Sequence, residues 1–132
     1  MSLALDRAGV EPGQVDAIFA DAMGTPSADA AEADAIRQVF GERAREIPVT
    51  APKTMVGRLY GGGAPLDVAA ALLAMRDGRL PPTVNLEQQA EGIDLDLVTG
   101  AAREAKLDTV LVNARGFGGF NSALVLGRRD GA

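Results

Sequence analysis

The chain has 132 residues, 47% hydrophobic and 23% charged, with a net charge of −5 and neither Cys nor His. That length predicts one domain over residues 1–132, burying roughly two-thirds of its unfolded surface. The missing Cys excludes disulfides and thiolate metal sites and fits a cytoplasmic protein, the acidic balance argues against nucleic acid, and no run of about 18 apolar residues offers a membrane span.

At the N-terminus, Met1–Val10 carries Asp6 and Arg7 where a secretion signal needs an apolar stretch, so no signal peptide is expected. Leu3–Ala8 reads as the last turns of a helix stopped at Gly9. Val15–Ala20 (VDAIFA) follows the turn residues Pro12–Gly13 as a buried strand. After the loop DAMGTPSAD, Asp29 reads as an N-cap and Glu32, three residues on, completes a capping box. The helix so opened, Ala30–Phe40, places Ile36, Val39 and Phe40 on one stripe and ends at Gly41. Ile47–Thr50 is a second strand, and it runs into the basic, Gly-rich loop KTMVGRLYGGG of residues 53–63.

The next helix starts near Pro65 and closes at Gly78. Between Leu66 and Met75 only Asp67 is polar. A helix apolar on all sides is buried on all sides, yet one sheet can cover only one of them. Either loops of the same domain cover the rest, or a segment outside this chain does. The second reading is favoured, and it leaves Val68, Leu72 and Met75 at risk of exposure. Leu86–Gly100 is a connection with one short strand around Leu95–Val98. Thr109–Ala114 and Ser122–Leu126 then pair antiparallel across the turn GFGGF. The order βαβαββ predicts an α/β fold, a mixed sheet with helices on its faces. Only Arg128–Ala132 reads as a disordered tail.

Several motifs carry less than they suggest. GRLYGGG lacks the Gly-Lys-Ser/Thr ending of a phosphate loop, and its glycines rather permit close backbone approach, or approach to a thioester ligand. GFGGF does not join a strand to a helix, so it is no dinucleotide fingerprint. Asp21, Asp29, Glu32 and Asp34 fit no calcium loop, and no metal site or cofactor is expected. Glu32 and Lys53 are expected to form at most a surface ion pair.

Three stretches together resemble the C-terminal half of a β-ketoacyl synthase: VDAIFADAMGTPSADAAEADAIRQVFG, PVTAPKTMVGRLYGGGAPLDVAAALLAMRDGRLPPTVNLE and ARGFGGFNSALVL. The resemblance implies a thiolase-like fold of two related halves in five αβαβα layers, with the N-terminal half absent from this chain. It also implies a Cys nucleophile in that absent half and two His residues in this one. The first His would follow VDAIFA, where Asp21 stands, and the second would follow KTMVG, where Arg58 stands. The family's Lys is kept as Lys53.

Each replacement disables chemistry. Decarboxylating a malonyl thioester needs donors aimed at a developing oxyanion, which an ionised Asp21 repels. Arg58 cannot give up a proton near neutral pH and so cannot act as a general base. A ketosynthase-like chain without both His residues resembles the chain-length factor, the ketosynthase β subunit of type II aromatic polyketide synthases. That implies a heterodimer with a ketosynthase α subunit, elongating a poly-β-ketone held on acyl carrier protein, the β subunit helping to set chain length. Phe117, Gly118 and Phe120 are candidates for lining the substrate tunnel. A fragment of an active condensing or acyl-transferring enzyme and a free-standing thiolase-like binding module remain as alternatives. The isolated chain is expected to self-associate through Leu66–Met75.

Overall fold

The computed structural model describes residues 1–128, so the tail expected over Arg128–Ala132 lies outside the described residues from position 129 on. Helix α1 (Ser2–Ala8) ends at Gly9, whose φ of 63° is the left-handed conformation that lets the backbone turn back. Strand β1 (Ala17–Phe19) leads to α2 (Pro26–Phe40), and β2 (Pro48–Thr50) leads through the Gly-rich loop to α3 (Gly63–Asp77). Four strands that follow are short or late: β3 (Arg79–Leu80), β4 (Asp96–Leu97), β5 (Arg103–Glu104) and β6 (Thr109–Arg115). The chain's last described strand is β7 (Asn121–Gly127).

Five of these form one sheet in the order β4-β2-β1-β6-β7. β1 is parallel to both β2 and β6, β2 is parallel to β4, and β7 returns antiparallel to β6. The sheet is therefore mixed, as expected. The separate two-stranded ribbon of β3 and β5 was not expected, and neither strand has more than two residues to show a period.

Alternation along the central strands divides the core. Ile18 and Leu111 point to the face covered by α1 and α2, where Leu5, Ile36 and Phe40 meet them. Phe19, Val110 and Val112 point to the opposite face, against Ala71, Ala74 and Met75 of α3. That gives three layers, α1 and α2, then the sheet, then α3. The far side of α3 has nothing over it among the described residues: Leu72 is 53% and Leu73 50% exposed. Met75, placed among the side chains at risk, is in fact buried against the sheet, and Val68 is partly buried.

One boundary is corrected. The second helix begins at Pro26 with Thr25 as N-cap, not at Ala30 with Asp29. Pro26 has the φ a first helical turn requires and no N–H to leave unpaired, so the helix starts there. Asp29 sits inside the first turn, accepting a hydrogen bond from the Gly24 amide at 3.2 Å. Glu32 does not close a capping box either; its carboxylate is used elsewhere.

Candidate functional site

Parallel strands bring their C-terminal ends to one edge of a sheet, and loops leaving that edge enclose the usual ligand crevice. Here Asp21 follows β1, Lys53 lies in the 3-10 turn Pro52–Met55 after β2, and Arg115 ends β6. The N-terminus of α3 meets them there. Asp21, Lys53 and Arg58 together line a cavity of about 350 Å³, walled also by Tyr60, Gly61 and Phe120. Phe120 borders the opening, 79% exposed, whereas Phe117 and Gly118 fall outside the lining and Phe117 is fully exposed.

The turn owes its shape to close backbone contact. The Gly116 amide donates to the Phe120 carbonyl at 2.6 Å. A Cβ at Gly116 would lie 3.1 Å from the Cβ of Phe120, so a larger residue would push the two arms apart. Gly118, at φ 76°, supplies the reversal.

Charge dominates the interior of the cavity. The Lys53 ammonium lies 2.5 Å from Asp67 Oδ2 and 3.7 Å from Asp21 Oδ1. Arg58 Nη1 and Arg115 Nε each stand 3.6 Å from Asp21 Oδ2. Arg58 also donates through Nη2 to the Arg115 carbonyl at 2.7 Å, tying the Gly-rich loop to the hairpin. Arg115 donates through Nη2 to the Ala28 carbonyl of α2, also at 2.7 Å.

Glu32 is buried beneath this layer. Its carboxylate accepts from the amides of Asp21 and Ala22, both at 2.9 Å, and from Asn113 Nδ2 at 3.2 Å. It does not pair with Lys53, as the sequence suggested, and neither group is at the surface. The position of Glu32 on α2 places it under the end of β1, where two amides need an acceptor. Glu32→Ala should therefore cost about 2–4 kcal/mol, since it leaves buried N–H groups unpaired. Urea unfolding midpoints measure this, and a loss below about 1 kcal/mol would show that the amides find other acceptors.

In the sequence Asp67 stands only as a lone polar residue in an apolar helix. It is wholly buried and is the closer partner of Lys53. Burial pushes its carboxyl above the usual carboxylate range despite the neighbouring ammonium. A buried carboxylate on an apolar helix signals that a cation must meet it, and of the two Lys residues in the chain Lys53 is the nearer in sequence. Nothing in the motifs singles out Arg115; a charged side chain at the end of a buried strand is its one visible signal.

A family model described as β-ketoacyl synthase, C-terminal domain, matches residues 1–87. The chain belongs to that family. Within it, the tetracenomycin polyketide synthase ketoacyl synthase beta subunit of Streptomyces glaucescens is 58% identical over 129 residues, which is 98% of this chain and 31% of that protein. The solved structure of the ishigamide ketosynthase/chain length factor matches with a TM-score of 0.92 at 37% identity, over 97% of this chain and 31% of that one. Another structure, a type II polyketide synthase acyl-carrier protein in complex with its ketosynthase bound to the hexaketide, gives 0.94 at 29% identity, over 98% of this chain and 32% of that one.

The chain thus spans about a third of the length of the curated relatives it matches. The similarity to ketosynthase β subunits and chain-length factors, and the thiolase-like α/β fold it implied, both hold. In this ketosynthase C-terminal domain the cavity's side chains can bind and hold charge. None of Asp21, Lys53, Arg58 and Arg115 forms the imidazole-based proton relay that the family resemblance assigns to catalytic members. Among the described residues no group of His, Cys, Asp or Glu is placed to hold a metal ion, and no helix is long and apolar enough to cross a membrane.

Proposed function

We propose that this chain is the C-terminal part of a non-catalytic ketosynthase β subunit, a chain-length factor of a type II polyketide synthase. The observation that carries this reading is the contact between Asp21 and Arg58. By the family resemblance these two positions belong to His residues, and here they face each other as opposite charges in one cavity. An arginine held there cannot exchange protons with a substrate at neutral pH. The cavity therefore keeps the family's shape without its chemistry.

As a single domain over residues 1–132, the chain forms one half of the duplicated five-layer fold, and the exposed side of α3 packs against the other half. The complete subunit pairs with a ketosynthase α subunit in the cytoplasm, and the pair extends a poly-β-ketone from malonyl units on acyl carrier protein. The relatives' names support those partners: a ketosynthase/chain length factor in one solved structure and a ketosynthase with its acyl-carrier protein in another. The β subunit helps to set the length of the chain, in the service of antibiotic biosynthesis.

The test is reconstitution. The complete β subunit carrying this segment, supplied with ketosynthase α and malonyl-loaded acyl carrier protein, should support polyketide formation that ceases when the β subunit is omitted. Alone, it should release no carbon dioxide from malonyl-acyl carrier protein. Restoring His at positions 21 and 58 of this chain should still yield no condensation, because it has no Cys to accept an acyl group. Decarboxylation by the unmodified chain would overturn the non-catalytic reading.

A further inference from the structure

Three cations converge on Asp21 from three separate elements. Lys53 comes from the turn after β2, Arg58 from the Gly-rich loop and Arg115 from the end of β6, at 3.6–3.7 Å. Asp21 is only 4% exposed, and its Oδ2 accepts no hydrogen bond among the described residues; Arg115 Nε likewise donates none. Glu32 is already saturated by two amides and Asn113, and Asp67 reaches only Lys53. Among the described residues the two guanidinium groups therefore have no other carboxylate to face across the cavity.

The distances carry a second message. Charge-assisted N–H···O bonds settle near 2.7–2.9 Å when both partners are free to adjust. Asp21 is tethered at the end of β1, with its own amide bound to Glu32, and stops short of that distance from both guanidinium groups. The guanidinium groups in turn are pinned by backbone carbonyls, Arg58 by that of Arg115 and Arg115 by that of Ala28. Each guanidinium is thus held at the cavity wall by a carbonyl on one side and by Asp21 on the other. A small unattached carboxylate could meet them at closer range than Asp21 does.

We propose that Lys53, Arg58 and Arg115 form a carboxylate-binding site whose resident ligand is the side chain of Asp21. The chain thus occupies its own anion site: Asp21 offsets part of the positive charge of the cavity and stands where an acidic group from outside would bind. This inference stands on the charge geometry alone and does not depend on the role proposed above for the subunit.

Chemical rescue tests it. Asp21→Ala leaves the three cations without their ligand and vacates the space of a carboxylate group, with the open volume of the cavity beside it. Its melting temperature in sodium chloride should fall on the order of 10 °C. Sodium acetate at the same ionic strength should restore most of that loss in a saturable manner, because a ligand that binds only the folded state stabilises it by mass action. The unmodified chain should respond alike to both salts. Adding Arg58→Met to Asp21→Ala should abolish the preference for acetate.

If Asp21→Ala does not fold in chloride, its recovery on refolding in acetate is the same result. Asp21→Asn supplies an independent arm: it keeps the shape and loses the charge, so the amides of Gly57–Gly62 should exchange hydrogen faster as Arg58 loosens. Equal stabilisation of Asp21→Ala by acetate and chloride would overturn the proposal. So would unchanged exchange in Asp21→Asn.

Discussion

Lys53→Ala is expected to destabilise the fold by about 3–5 kcal/mol, because it strands two buried carboxylates at once. Asp67 is wholly buried and lies 2.5 Å from the ammonium, and Asp21 is nearly as buried at 3.7 Å. Taking charges out of water is costly, and only a close partner offsets that cost. Asp67→Leu combined with Lys53→Met should consequently be less damaging than Lys53→Ala alone, since it removes both members of the closest pair. Urea unfolding of the two variants checks the order. If the double variant is the weaker of the two, the pair is a net source of stability rather than a mutual remedy.

The same carboxyl gives a pH signature. Burial raises Asp67 above its ordinary value near 3.8, more than Lys53 lowers it. A carboxyl that holds its proton more tightly in the folded chain than in the unfolded one favours folding in acid. That contribution is complete below the unfolded value and is lost as pH climbs through the raised folded value. The stability of the unmodified chain relative to Asp67→Asn should therefore decline upward from about pH 4. A difference that grows with pH instead would reverse the sign.

The second large effect concerns association. The isolated chain should form dimers or larger species at micromolar concentration through the uncovered side of α3. Leu72 and Leu73 are about half exposed there, and Met55 and Val56, on the turn beside it, are each 52% exposed. Full burial of one such side chain is worth roughly 1.5–3 kcal/mol, so covering several of them outweighs much of the cost of bringing two copies together. Contiguous apolar patches of this kind mark sites of contact. Leu72→Lys with Leu73→Glu should give a monomer by sedimentation without lowering the unfolding midpoint. A chain that is already monomeric before substitution would refute the assignment of this face.

Much of this was legible in the residues. The stop at Gly9, the stripe of Ile36 and Phe40, and the alternation of Thr109–Ala114 across GFGGF from Ser122–Leu126 are local signals, and the fold keeps them. The resemblance added what periodicity could not, that positions 21 and 58 each stand where the family has an active-site His, and the structure brings the two into one cavity. What escaped was non-local. Asp29 and Glu32 mimic a capping box in spacing, but Glu32 serves amides ten and eleven residues before it, which no helical rule reaches. The partner of Asp67 is fourteen residues upstream on another element, and an apolar run names no partner for its one polar member. Two-residue strands such as β3 and β5 have no pattern to read.

The central position of β1 has a consequence for how the chain acquires its structure. One of its neighbours, β2, follows within some thirty residues, but the other, β6, begins only at Thr109. Asp16 makes the same demand: its carboxylate accepts from the amides of Asp108 and Thr109, at 2.7 and 2.8 Å, more than ninety residues away. Pairings this distant in sequence cannot form early, since closing so long a loop comes before any contact rewards it. On the ribosome, β1 must therefore wait with one edge bare, and the apolar residues Ala17, Ile18 and Phe19 with it, until nearly the whole of this segment has been synthesised.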